Sequence, residues 1–259
     1  IRRDVENALE NLSPTLLLYL QHLKRIKIEQ KTLKIDSGPF PNSFWVSRND
    51  EERDLWKRYC SVPLIIPREL REFLRKDRNL DKIGKEPKKY EQISITFEIT
   101  PDGKIVNKQN SGLYAFLPLS DERNSRFSFN IQADFSVDAG RRKLHEPYSN
   151  WNQWILANVH KCFPSVLKDY KEQRTLRTEF YKILPLDDPE RPDYLSIVKK
   201  KIDEYIHKED SILVKTRKSK EFPDGKGWVK PKYAVIARSE LQKLFDSADI
   251  KHLFGKRKY

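Results

Sequence analysis

The chain has 259 residues, 37% hydrophobic and 34% charged, which is enough apolar material for a buried core and unlike the composition of a disordered chain. Lys and Arg number 51 against 38 acidic residues, and the net charge of +13 favours anionic partners: nucleic acid, anionic lipid or an acidic protein surface. No apolar run reaches the roughly 18 residues of a membrane span, the opening IRRDVENALENL lacks the apolar core of a secretory signal, and Cys60 and Cys162 are too few for a disulfide framework, so a cytoplasmic protein is expected.

There is no methionine, and the chain opens at Ile1 inside a charged, helix-like run; both features read as a segment of a longer polypeptide. Leu9, Leu12, Leu16, Leu17, Leu20 and Leu23 recur at helical spacing, broken where Ser13-Pro14 caps a second short helix. The pairs Ile26/Ile28, Leu33/Ile35 and Phe44/Val46 alternate with polar residues and predict small antiparallel strands. Residues 50–58 and 68–83, rich in Glu, Arg, Lys and Leu, read as helices or partly ordered insertions, and KIGKEPKKYEQ reads as a surface loop.

The strongest periodicity is RFSFNIQADFSVDAG, where Phe127, Phe129, Ile131, Ala133, Phe135 and Val137 predict a strand with one buried face. Ile93 to Ile99, ending at the turn Thr100-Pro101-Asp102-Gly103, and Leu113 to Leu119 predict its companions. A helix follows from the cap Ser149-Asn150, with Trp151, Trp154, Ile155, Val159 and Cys162 on one stripe. Further helices are expected over 165–183, 194–207 and 239–246, with short apolar runs at Ile212 to Val214 and Ala234 to Ala237. The expected class is α/β in the α+β sense: a mixed or mainly antiparallel sheet packed with helices over 1–160, carrying an insertion at 50–90, and a mostly helical part over 161–259.

Most familiar chemistry is absent from the sequence. The eight glycines form neither G-x-G-x-x-G nor a P-loop, the five histidines stand far apart, and no serine lies in a G-x-S-x-G elbow. Asp102-Gly-Lys104 and Asp224-Gly-Lys226 are better read as turns than as parts of a nuclease site. One candidate is the basic turn Ala139-Gly140-Arg141-Arg142-Lys143, where arginines can present planar, permanently charged forks to phosphate oxygens. A second is the later basic groups, Lys199, Lys200, Lys201, Lys215, Arg217 and Lys218, as contacts for nucleic acid or another anion.

The order Tyr114-Ala-Phe-Leu-Pro118, Phe129-Asn-Ile-Gln-Ala-Asp-Phe135, Gly140-Arg141-Arg142 and Asn150-Trp151-Asn-Gln-Trp154 resembles sacsin-like proteins. These carry an ATPase domain of the superfamily shared by gyrase, the ninety-kilodalton heat-shock chaperones and histidine kinases (GHKL). Weaker similarity covers Leu16 to Ile28, Arg177 to Leu186 and Gly227 to Pro231, whereas residues 50–90 match nothing in that pattern. The resemblance implies a middle or transducer segment immediately downstream of the nucleotide-binding domain. ATP and Mg would then be held by that upstream domain, and no cofactor by this segment.

In such proteins an arginine from this segment reaches back to the γ-phosphate, a role that would fall on Arg141 and, less directly, on Arg142. Gly140 and Arg142 depart from the family's usual turn. The expected partners are the upstream ATPase domain and a client, effector or second copy of the chain, without a membrane. The alternative reading is a nucleic-acid-binding module of a DNA-acting or defence protein. A third is a chaperone-like surface exposing Trp45, Trp56 and Trp228.

Overall fold

The computed structural model describes residues 13–20, 22–28, 31–49, 52–78, 82, 84–106, 111–120, 125–173, 175–215 and 226–234. The alternating pairs near the start form a meander: β1 (Arg25–Ile28), β2 (Lys31–Ser37) and β3 (Ser43–Arg48), each antiparallel to the next. β4 (Glu52–Cys60) continues it, and an excursion through β5 (Leu64–Ile65), helix α1 (Arg68–Asp77) and β6 (Tyr90–Glu91) precedes β7 (Ser94–Ile99). β8 (Leu113–Ala115), β9 (Leu117–Pro118) and β10 (Asn130–Gln132) complete a sheet of order β1-β2-β3-β4-β7-β10-β8-β9. Among the described residues only the β10–β8 pairing is parallel, so the sheet is mixed and mainly antiparallel, as expected.

Period-two alternation gives this sheet two different faces. Leu55 and Tyr59 of β4, Ile95, Phe97 and Ile99 of β7, Ile131 of β10 and Leu113 of β8 point to one side. Helices α2 (Asn150–Asn158), α3 (Phe163–Glu172) and α4 (Ser196–Ile206) cover that side with Trp151, Ile155, Phe163, Val166, Val198 and Ile202. Each of these side chains is almost fully buried and stabilises the fold by roughly 1.5–3 kcal/mol. The same core runs from Leu55 to Ile212, so it joins residues on both sides of position 160. The opposite face carries a smaller cluster in which Leu18 and Tyr19 pack with Val46, Phe44, Trp56 and Tyr114. Leu18 and Tyr19 come from the short 3-10 helix Pro14–Leu18, capped by the Ser13 hydroxyl as expected, and its C-cap.

Three expectations fail for identifiable reasons. Residues 52–60 are not helical but form the longest strand of the sheet. Their Glu, Arg and Lys content is helix-forming, yet Leu55, Lys57 and Tyr59 alternate inward, and the alternation is hidden because one inward residue is a lysine. The segment 127–137 keeps its buried side chains at Phe127, Phe129, Ile131, Ala133 and Phe135, but only Asn130–Gln132 is paired as strand. Beyond it the regular ladder is interrupted at Ser136, whose amide donates to Asn152 Oδ1 at 3.0 Å and whose carbonyl accepts from Asn152 Nδ2 at 3.2 Å. The helix expected over 165–183 stops at Glu172, and a separate 3-10 turn spans Glu179–Ile183.

Helix α1 ends at Asp77, short of the expected 83, and α4 falls within the expected 194–207. Tyr90 and Glu91 of the expected surface loop pair with Leu64 and Ile65. Among the described residues after 160, α3 and α4 are accompanied by an antiparallel strand pair, β11 (Ile212–Lys215) and β12 (Lys226–Val229). The helix expected at 239–246 and most of the Ala234 to Ala237 run lie outside the described residues.

Candidate functional site

The basic turn is built by one carboxylate. Val137 and Leu144 form an antiparallel bridge, and between them Asp138 Oδ1 accepts the Arg142 amide at 2.7 Å and the Lys143 amide at 3.3 Å. Its backbone closes the same loop, since the Asp138 carbonyl accepts the Arg141 amide at 2.9 Å and the Asp138 amide donates to the Lys143 carbonyl at 3.1 Å. Short Asp side chains favour this kind of local bonding. The Arg142 amide, followed by that of Lys143, holds the Asp138 carboxyl below the usual carboxylate range.

Within the loop Arg141 takes a left-handed backbone conformation, φ 54°, which a side chain with a Cβ adopts only where its surroundings enforce it. Gly140 is not in that region, so the residue bearing the charge also makes the turn. Arg141, Arg142 and Lys143 are all exposed.

Behind the turn stands a compact charge cluster. Arg78, which caps α1, grips Asp134 with Nη1 to Oδ2 at 2.7 Å and Nη2 to Oδ1 at 3.0 Å, the planar fork suited to a carboxylate. Lys88 donates to both Asp134 and Glu91, and its ammonium stands 5.6 Å from the Trp151 ring centroid. Burial works against the Asp134 charge, yet the Arg78 hydrogen bonds and the Lys88 charge hold its carboxyl below the ordinary value. Burial dominates at Glu91 and raises it. Trp151 Nε1 donates to the Asp134 carbonyl at 2.9 Å, so α2 fixes the backbone from which the turn departs. Arg141, Asp138 and His145 share an open pocket of about 460 Å³ with Asp77, Arg78 and Asp134.

The turn residues and the later basic groups are not brought together in one described pocket. Lys199 pairs with Asp187 at 3.1 Å and Asp203 at 2.6 Å, and Lys201 with Glu204 at 2.8 Å, which neutralises two of the three α4 lysines. Lys200 is exposed on that helix, Lys215 lies in β11, and Arg217 and Lys218 lie outside the described residues. Trp45 and Trp228 pack against the main core and Trp56 against the smaller one. Asp102 and Lys104 pair at 2.7 Å across a turn made by Gly103, φ 84°. Asp224 and Gly225 of the second such motif lie outside the described residues. Among the described residues no group of three His, Cys, Asp or Glu side chains could hold a metal ion, and no helix is long and apolar enough to cross a membrane.

Sequence reasoning missed a buried polar group on the helical side of the sheet. Lys57, with no exposed surface, reaches Asp169 of α3 at 2.5 Å, and the Tyr59 hydroxyl donates to the same carboxylate oxygen. Gln173 Nε2 donates to the other oxygen at 2.6 Å, and the Tyr170 ring centroid lies 4.7 Å from the Lys57 ammonium. The one available signal was the inward position of Lys57 between Leu55 and Tyr59. No protein-family model, curated protein or solved structure matches the chain.

Proposed function

We propose that this chain is the non-catalytic transducer segment of a larger ATP-hydrolysing protein of the GHKL type. In this reading Arg141 senses the γ-phosphate of ATP bound by a separate domain and couples its hydrolysis to a client or effector. The supporting observation is the presentation of Arg141: exposed, in a left-handed conformation, at the apex of a turn tied by Asp138. A cation carried on a backbone that is already ordered can stabilise charge on the phosphoryl group at a smaller cost of ordering than one on a free loop. In this reading ATP and Mg are held by the separate domain, and this chain contributes the guanidinium.

A second support is the cluster behind the turn. Asp134 joins the strand exit to α1 through Arg78 and to α2 through the Trp151 indole, which in this reading gives a displacement of the turn a route to two helices. The test is ATP turnover by the longer polypeptide with and without Arg141→Ala. Loss of about a thousandfold or more, the scale set by an arginine supplied to a phosphoryl-transfer site, supports the reading. Unchanged turnover removes Arg141 from the mechanism. The nucleic-acid alternative, if placed on α4, rests largely on Lys200, because Lys199 and Lys201 are already paired.

A further inference from the structure

The face of the sheet away from the helices is crossed by the segment that carries Leu18 and Tyr19, and beside that crossing lies a groove of about 580 Å³. That is the size of a small-ligand site. Its lining brings together an unusual aromatic, an uncompensated cation and two side-chain amides.

Phe116 forms by itself the turn between β8 and β9, with Tyr114 paired to Pro118 and Ala115 to Leu117 on either side. Its φ of 65° is strained for an aromatic residue, and yet 46% of its surface is exposed. Packing of Phe116 into a core does not account for that strain, which the turn maintains while holding the ring at the groove. Tyr90, 57% exposed, is a second aromatic in the lining.

Arg58 supplies the charge. Its guanidinium lies 4.9 Å from the Phe44 ring centroid and donates to the Leu18 carbonyl, and it pairs with no carboxylate among the described residues. Lys88 also lines the groove, but Glu91 and Asp134 already balance it. Gln92 Nε2 donates to the Ser61 carbonyl at 3.1 Å, leaving its carbonyl oxygen as an acceptor. Gln132 Oε1 accepts from Ser94 at 2.9 Å, leaving its amino group as a donor. An acceptor and a donor without partners among the described residues, on two amides of the same lining, match the edge of a nucleobase.

We propose that this groove binds a nucleobase carrying a phosphate, either as a free nucleotide or as one unit of a single strand. The base lies against Phe116 or Tyr90, its edge meets Gln92 and Gln132, and the phosphate meets Arg58. The proposal does not rest on the Arg141 reading, because the two pockets have only Asp134 in common.

The test is fluorescence anisotropy of the intact chain with a labelled mixed-sequence single-stranded oligonucleotide, titrated at several salt concentrations and competed with mononucleotides. Phe116→Gly removes the ring while relaxing the left-handed backbone, and should weaken binding by about tenfold or more, the value of a lost base–aromatic stack. Tyr90→Ala is a second, surface-exposed variant that should also weaken it. Arg58→Gln should flatten the salt dependence. Displacement by a mononucleotide would mark the free nucleotide as the ligand, and displacement only by longer strands would mark the polymer. The proposal is overturned if neither species binds at low salt, if duplex or an acidic peptide competes equally, or if folded Phe116→Gly, Tyr90→Ala and Arg58→Gln variants bind like the parent.

Discussion

The Asp138 carboxylate accepts the Arg142 amide at 2.7 Å, across the loop that sets Arg141 in its left-handed conformation. Asp138 is therefore a positioning residue: it orders the turn without needing to touch a ligand. Its carboxyl is held below the ordinary value, so its stabilisation of the turn is present above the usual carboxylate range and is lost as pH falls through the lowered value. Asp138→Ala should speed hydrogen exchange at the Arg142 and Lys143 amides at neutral pH, and the parent should show the same change only in acid. Unchanged exchange in the variant would show that the backbone bonds alone hold the turn.

The Lys57–Asp169 pair is buried, and removing one partner leaves the other charged and isolated. Asp169→Ala should destabilise the fold by about 3–5 kcal/mol in urea denaturation, whereas replacing both members, Lys57→Met with Asp169→Leu, should recover most of that loss. The recovery would be incomplete, because Tyr59 and Gln173 also lose their acceptor. A double variant as unstable as Asp169→Ala would contradict this account.

Stability should also bend with alkaline pH in a defined way. Burial lowers Lys57 from its ordinary value, so folding disfavours its protonated form and that penalty is relieved as pH rises toward about 10. Burial raises the phenols of Tyr19, Tyr59, Tyr170 and Tyr181, so their contribution is present below about pH 10 and is lost above it. Denaturation at stepped pH should show stability level or rising to about 10 and falling steeply beyond, with tyrosinate absorbance appearing together with unfolding. Early titration of all the tyrosines in folded protein would argue against it.

The sheet was legible at Ile26/Ile28, Leu33/Ile35, Phe44/Val46 and Ile95 to Ile99, which lie in β1, β2, β3 and β7. It was hidden at 52–60 because Lys57 occupies an inward position and finds its partner 112 residues away in Asp169. The same non-local pairing concealed the charge cluster. Asp134 falls at an outward place in the Phe127 to Val137 alternation, which suggests solvent, but Arg78 and Lys88 arrive from an excursion whose path no local pattern fixes. The Arg141 turn was visible from Gly140 and its neighbouring charges. That the left-handed residue is Arg141 and not Gly140 depends on the bonds to Asp138, which spacing does not encode.

The sheet ends, among the described residues, in two short strands of different character. β1 is only four residues long and alternates Arg25 and Lys27 with its isoleucines, and β9 finishes at Pro118, which offers no backbone N–H to a newcomer. Charge at one rim and a missing donor at the other both discourage strand addition by a second molecule. In the described sheet these two features work against fibrillar self-association at high concentration, and Lys27→Val is the substitution expected to weaken that guard at the β1 rim.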